Sequence, residues 1–198
     1  MAADISAILK NILEFADFNN KTVIAVGAGG GQFAEYGKKA RRIIAVDSNP
    51  EALEALQTKV AILGLADHFE YHVGDFITFA LRGDMVFFEF CLHEMADPVL
   101  ALAKAKSLVP QVVVFDHSPD SPWAYITAEE TKVKNAWQAI QAQKPSRVQH
   151  YSGLQSFITF AELEAKVMPQ GEVSLQRIEK YRGQNNFTIP MSYGLAML

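Results

Sequence analysis

Apolar residues recur at helical spacing between residues 5 and 18 (Ile5, Ile8, Leu9, Ile12, Leu13, Phe15), which predicts a leading amphipathic helix. The pattern then changes to short continuous apolar runs: Val23 to Val26, Ile43 to Val46, Phe69 to Val73, Met85 to Phe90 and Val112 to Phe115. Helical stretches separate these runs. Gln32 to Lys39 places Phe33 and Tyr36 on one face. Asn49-Pro50-Glu51 is a capped helix start, followed by Leu53, Leu56, Val60 and Leu63 before Gly64. Asp97-Pro98 opens a further helix with Val99, Leu100, Leu102 and Leu108 as its apolar positions. Continuous apolar strands alternating with helices predict a parallel sheet covered on both faces.

After the fifth run the alternation lapses for about 41 residues, Ser118 to Ile158, where a strand-to-helix connection is usually ~2–6 long. Thr127-x-x-Glu130 has capping-box spacing, with Val133, Trp137 and Ile140 on one helical face behind it, so the segment reads as a helical, lid-like insertion at about 118–158. A second capping box, Thr159-x-x-Glu162, starts the next helix. Val173 to Tyr181 and Phe187 to Leu198 read as two strands of a closing hairpin around Arg182-Gly183-Gln184-Asn185-Asn186. The expectation is a single α/β domain over 1–198. It is a Rossmann-like three-layer sandwich with a seven-stranded, mostly parallel sheet and an antiparallel C-terminal strand.

Composition narrows the function classes. A 49% hydrophobic chain of 198 residues with net charge -4 has one sizeable core and no general attraction to phosphate backbones or acidic membranes. The local basic cluster Lys38, Lys39, Arg41 and Arg42 reads as a solvated helix end. With one cysteine, Cys91, no apolar run near 18 residues and no leader-like start, a cytoplasmic protein is expected. Its expected partners are a small-molecule substrate and, as an option, a second copy in a homodimer, with neither nucleic acid nor membrane.

The chemistry is concentrated in Val23 to Gly31, VIAVGAGGG, followed by IIAVD ending at Asp47. A strand running into a glycine-rich turn lets backbone N–H groups approach a ligand, and an acid about 20 residues on takes ribose hydroxyls, so a nucleoside-bearing cofactor is expected. A dinucleotide fingerprint needs GxGxxG, but the third glycine position is Gln32.

The spacing Gly27-x-Gly29-x-Gly31, with Asp47 and Asp75-Phe76 at successive strand ends, resembles the class I S-adenosylmethionine-dependent methyltransferases, small-molecule type. The resemblance implies that Gly27, Gly29 and Gly31 line the methionine moiety and that Asp47 binds the ribose. It also implies that Asp75 accepts the adenine amino proton while Phe76 packs on the ring. The acid usual two positions before the first glycine is replaced by Ala25. Glu89, at the end of the fourth strand, joins the expected cofactor-binding set.

Ligands bind such sheets at the carboxyl ends of the strands, which makes Glu89, His93, Glu94, Asp116 and His117 the candidate bases. His93 and His117 are the expected catalytic residues, because they titrate near neutrality. Asp116, Trp123, Tyr125 and Tyr151 are the expected substrate contacts, with His150 also in the insertion. Glu89, Asp116 and His117 are loosely similar to the metal site of catechol-type O-methyltransferases. A histidine suits magnesium poorly, and no metal is expected. The competing readings are a non-catalytic or partner-dependent cofactor-binding subunit of the same fold and an NAD-dependent oxidoreductase.

Overall fold

The computed structural model describes residues 5–198. Its strands are β1 (Thr22–Val26), β2 (Arg42–Asp47), β3 (Phe69–Val73), β4 (Met85–Glu89), β5 (Gln111–His117), β6 (Arg147–Thr159) and β7 (Asn185–Met197). The helices are α1 (Ile5–Phe15), α2 (Pro50–Ile62), α3 (Pro98–Leu108), α4 (Pro122–Ile126), α5 (Glu130–Ala142), α6 (Phe160–Val167) and α7 (Glu172–Ile178). The strands form one sheet in the order β3-β2-β1-β4-β5-β7-β6. β1 to β5 pair in parallel, and β7 runs antiparallel between β5 and β6.

Strand alternation divides the core between two faces. Val23, Ala25, Ile43, Met85, Phe87, Val113 and Phe115 pack with α1, α2, α6 and α7 on one side. Ile24, Val26, Ile44, Val46, Val86, Phe88, Val112 and Val114 pack with α3 and α5 on the other. Each fully buried Phe or Leu contributes about 1.5–3 kcal/mol, and the central strands β1 and β4 are buried throughout. This is the expected three-layer architecture, with local starts where they were read. Asn49 Oδ1 accepts from Glu51 N–H, Asp97 Oδ1 from Leu100 N–H, and Thr159 Oγ1 from Glu162 N–H.

The seven strands include one that the sequence reading assigned elsewhere. Val173 to Tyr181 is α7 followed by a 3-10 turn, and its inward residue Ile178 is fully buried. The partner of β7 is instead β6, a 13-residue strand inside the supposed lid, paired from Arg147↔Met197 to Thr159↔Asn185. The helical insertion therefore ends before Arg147 and consists of α4 and α5. β6 escaped notice because it is an edge strand with polar residues on its open side and no continuous apolar run. Its edge position tolerates that pattern.

Three smaller expectations also change. Gln32 to Lys39 forms only a 3-10 turn, Ala34–Lys38, within which Gly37 lies so close to Phe69 that a Cβ there would be 2.9 Å from its ring. Thr127 does not cap α5; its hydroxyl donates to Glu129 Oε2 at 2.6 Å. In α3 the buried positions are Ala101, Leu102 and Ala105, while Val99 and Leu100 are exposed.

The basic cluster lies at the opposite end of the sheet from the strand carboxyl ends. There Lys38 pairs with Glu35, Arg41 with Asp84, and Arg42 with Glu70. Among the described residues no helix is long and apolar enough to cross a membrane.

Candidate functional site

A cleft of about 660 Å³ opens at the carboxyl ends of β1, β2, β3 and β4. Gly27, Asp47, Asp75, Glu89, Cys91 and Glu94 are among its lining residues. Gly27 leaves β1 with φ +67°, and a Cβ there would lie 2.3 Å from Cys91 Cβ, so only glycine lets β1 turn away at this point. Gly29 N–H donates to Asp47 Oδ2 at 2.9 Å, while Asp47 Oδ1 accepts from Asn49 N–H at 2.9 Å. One carboxylate thus ties the glycine turn to the start of α2 and keeps lone pairs for a ligand. Gly31 does not line the cleft. Its Cα faces α2, where a Cβ would lie 2.8 Å from Leu56, so its function here is close packing.

Asp75 Oδ1 accepts from Ile77 N–H at 3.0 Å and holds the turn after β3. Phe76 borders the cleft but is 1% exposed, with its ring edge-on to Phe88 in the core, so Ile77 offers more apolar surface to a ligand.

Glu89 sits beside Gly27 at the end of β4 and accepts from Tyr36 Oη–H at 2.5 Å. Burial pushes its carboxyl up to about 8. The Tyr36 hydrogen bond opposes that shift and the charge of Asp47 adds to it. Tyr36 is itself fully enclosed by Phe18 and Phe87.

Beyond Glu89 the backbone of Phe90 adopts φ +51°, a left-handed conformation costing about 1–3 kcal/mol in a non-glycine residue. Ring contacts with Phe115 (3.9 Å between centroids) and His117 (4.6 Å) fix it there. The reversal delivers Leu92–Glu94, a 3-10 turn, against the end of β5.

His93 and Asp116, 23 residues apart, meet at this junction. His93 Nδ1–H donates to Asp116 Oδ1 at 2.5 Å, and His93 N–H donates to Oδ2 at 3.0 Å. Oδ1 also accepts from His117 N–H at 2.8 Å. Burial alone would depress the His93 imidazole, but hydrogen bonds to Asp116 and Glu94 and the charge of Glu129 push it up to about 10. His117 goes the other way. Burial lowers it to about 4, and the opposing pull of Asp116 does not restore it. His117 Nδ1 has no hydrogen-bond partner among the described residues.

Of the expected catalytic pair, His117 is therefore a neutral imidazole at pH 7, whereas His93 is held as a cation. Asp116 is 0% exposed, is bonded to His93 and to the His117 backbone N–H, and has no surface for a substrate. The aromatic substrate contacts do not come together. Trp123 is buried against Phe157, Tyr125 lies under Arg177, and Tyr151 stacks on Tyr193. None of the three lines the cleft. His150 pairs through Nδ1 with the Ser118 hydroxyl at 3.0 Å and packs on Trp137. The loose metal set is not assembled either, because Glu89 is engaged with Tyr36 and Asp116 with His93.

Sequence reasoning missed Tyr36, Phe90, Cys91 and Glu129 as site residues. Tyr36 carried only a core signal, and the φ of Phe90 has no sequence signature. Glu129 adjoined a capping pattern that drew attention to Glu130.

Residues 24–111 match a family model described as a methyltransferase domain. Solved structures extend the likeness to nearly the whole chain. A Bacillus halodurans protein inferred to be a methyltransferase superimposes with TM-score 0.71 at 13% identity, covering 96% of this chain and 97% of that one. An S-adenosylmethionine-dependent methyltransferase from Aquifex aeolicus gives TM-score 0.59 at 19% identity, covering 98% and 89%. Magnesium protoporphyrin IX methyltransferase from Synechocystis, solved with S-adenosylhomocysteine bound, gives 0.57 at 10% identity, covering 97% and 80%. No curated protein matches the sequence significantly.

Proposed function

We propose that this chain is a class I S-adenosylmethionine-dependent methyltransferase that methylates a small-molecule acceptor, a reading supported by the methyltransferase-domain match over residues 24–111 and by the shared fold. The observation that carries the proposal is the convergence of Asp47, Asp75 and Glu89 on one cleft beside the glycine turn.

The residues present fit S-adenosylmethionine. Asp47 has acceptor capacity for ribose hydroxyls, and Asp75 has a free carboxylate oxygen for an adenine amino group. Glu89, at the inner wall next to Gly27, takes the place of the acid missing at Ala25 and faces the cofactor's cationic end. Gly27 permits close approach, Gly29 fixes Asp47, and Phe76 supports the turn that carries Asp75.

When bound, the cofactor supplies a methyl group made electrophilic by its sulfonium. The protein's remaining tasks are to align the acceptor for in-line displacement and to take its proton. Orientation is worth about 7–11 kcal/mol and a positioned base about 10²–10⁴-fold. His117 is the proposed proton acceptor, a neutral imidazole with an unpartnered Nδ1 beside the Phe90 ring. His93 and Asp116 position it: Asp116 binds the His117 backbone N–H and is held in turn by His93. His117 is only 8% exposed and is not among the residues lining the cleft, so an acceptor reaches its imidazole only with local side-chain movement, which favours a small molecule over protein or RNA.

Calorimetric titration with S-adenosylmethionine, S-adenosylhomocysteine and NAD tests the cofactor assignment. Tight NAD binding without the other two would sink it. Incubation of a fractionated cell extract with methyl-labelled cofactor tests the acceptor class, and label found only in macromolecules would refute a small-molecule role.

A further inference from the structure

A second group of side chains lies between the loop after β4 and the start of α5, and the cofactor contacts leave most of it unused. His93, Glu94 and Glu129 each direct one ligand atom into the same space, within 4.8 Å of one another. His93 Nε2 stands 3.4 Å from Glu94 Oε1 and 3.9 Å from Glu129 Oε2. Ligand atoms around a tetrahedral zinc ion at roughly 2.0–2.2 Å are themselves ~3.4 Å apart, so small side-chain adjustments separate this arrangement from a ligand set.

Three features distinguish the group from a solvated acidic patch. First, Asp116 accepts from His93 Nδ1–H and so turns the Nε2 edge of the ring towards the two carboxylates, where an ion would replace the Nε2 proton. This is the carboxylate–histidine support that metal-bound imidazoles ordinarily have. Second, the side chains of His93 and Glu129 are 4% and 8% exposed, and the carboxyls of Glu94 and Glu129 meet directly. Two carboxyls brought together, one of them buried, disfavour double ionisation unless a proton or cation bridges them, and half-exposed Glu94 leaves the group open to ions from solvent. Third, both carboxylates are already oriented. Thr127 Oγ1–H donates to Glu129 Oε2 at 2.6 Å, the oxygen that faces His93 Nε2, and Lys132 Nζ donates to Glu94 Oε2 at 2.9 Å, leaving Glu94 Oε1 turned to His93.

We propose that His93 Nε2, Glu94 and Glu129 form a binding site for a divalent transition-metal ion. One imidazole and two carboxylates suit ions of the zinc and manganese type better than magnesium alone or a thiophilic metal. Binding exchanges protons for metal: the ion takes the position of a proton at His93 Nε2 and of the proton between the two glutamates. Glu94 also lines the cofactor cleft, so an oxygen of the methyl acceptor is the natural further ligand, and coordination would acidify an acceptor hydroxyl. That last role rests on the methyl-transfer reading; the ion site does not.

The test is calorimetric titration of the metal-stripped full chain with Zn²⁺, Mn²⁺ and Co²⁺, with Co²⁺ also followed by its visible absorption. One equivalent should bind, at least tenfold more weakly in Glu94→Gln and Glu129→Gln. Asp116→Asn, which leaves the three ligands in place, should weaken binding about 10–100-fold. Glu94 is half-exposed, so its variant is expected to keep the wild-type circular dichroism and serves as the control for folding. Failure of wild type to bind any of the three ions, or unchanged affinity in a folded Glu94→Gln protein, overturns the proposal. S-adenosylhomocysteine binding by the same stripped protein reports the methyl-transfer reading separately: its loss alone would strike that reading and leave the ion site standing.

Discussion

The two halves of the sheet are built by different means. The β3-β2-β1-β4 half presents its ligand groups from turns and strand ends; Glu89 is held by the distant Tyr36 hydroxyl, but its two aspartates are held by a backbone N–H within a few residues or from the neighbouring turn. Asp47 with Asn49 and Gly29, and Asp75 with Ile77, are of this kind. The half built on β5, with the loop after β4 and with α4 and α5, relies on side chains distant in sequence. His93 with Asp116, Trp137 Nε1–H with the His117 carbonyl, and Glu129 facing His93 are its contacts. On the proposed function, the locally built half would bind the cofactor, and the half built from long-range side chains would choose the acceptor and handle its proton.

If this division holds, variants should separate binding from turnover. His117→Ala has the largest expected effect, lowering kcat by about 10²–10⁴-fold with S-adenosylhomocysteine affinity unchanged. Parallel loss of cofactor affinity in calorimetry would break the division. Asp47→Ala should do the reverse and weaken cofactor binding. Each charge-assisted hydrogen bond lost costs about 1.5–3 kcal/mol, roughly 10–150-fold.

Glu89 gives a pH signature. In the proposed site its ionised form attracts the cationic end of the cofactor, so S-adenosylmethionine affinity should climb by roughly tenfold between pH 7 and 9, with Glu89→Gln flattening the profile. Stability has the opposite sign. The unfolded chain ionises Glu89 near 4.5 and the folded chain near 8, so the folded state holds the extra proton in that window and its contribution falls as pH rises. Urea denaturation of wild type against Glu89→Gln across that range reads the difference. Smallest is Thr159→Ala, which removes the α6 cap beside β6 for about 1 kcal/mol and should leave both binding and turnover alone.

The same division explains what was legible in the sequence. Val23 to Gly31, Asp47 and Asp75 could be read because strand, turn and acid are consecutive, and the parallel sheet followed from five continuous apolar runs. β6 could not be read, because an edge strand with one polar side lacks that signature, and α7 passed for a strand on its scattered Val173, Leu175 and Ile178. At the site, both histidines were found but not their opposite charge states. The state of His93 depends on Asp116, Glu94 and Glu129 converging from three separate segments, and that of His117 on its burial.

The hydrogen bond from Tyr36 to Glu89 links the two interiors of the molecule, the packed one and the one that receives ligand. Tyr36 belongs to the least regular crossover of the sheet, yet its ring is wedged between Phe18 and Phe87. Core repairs and ligand charge are therefore inseparable here: a conservative exchange at Phe18 or Phe87, far from any bound atom, would be felt as an altered electrostatic potential in the cleft. Library screens for thermostability at these positions would select on cofactor affinity without intending to.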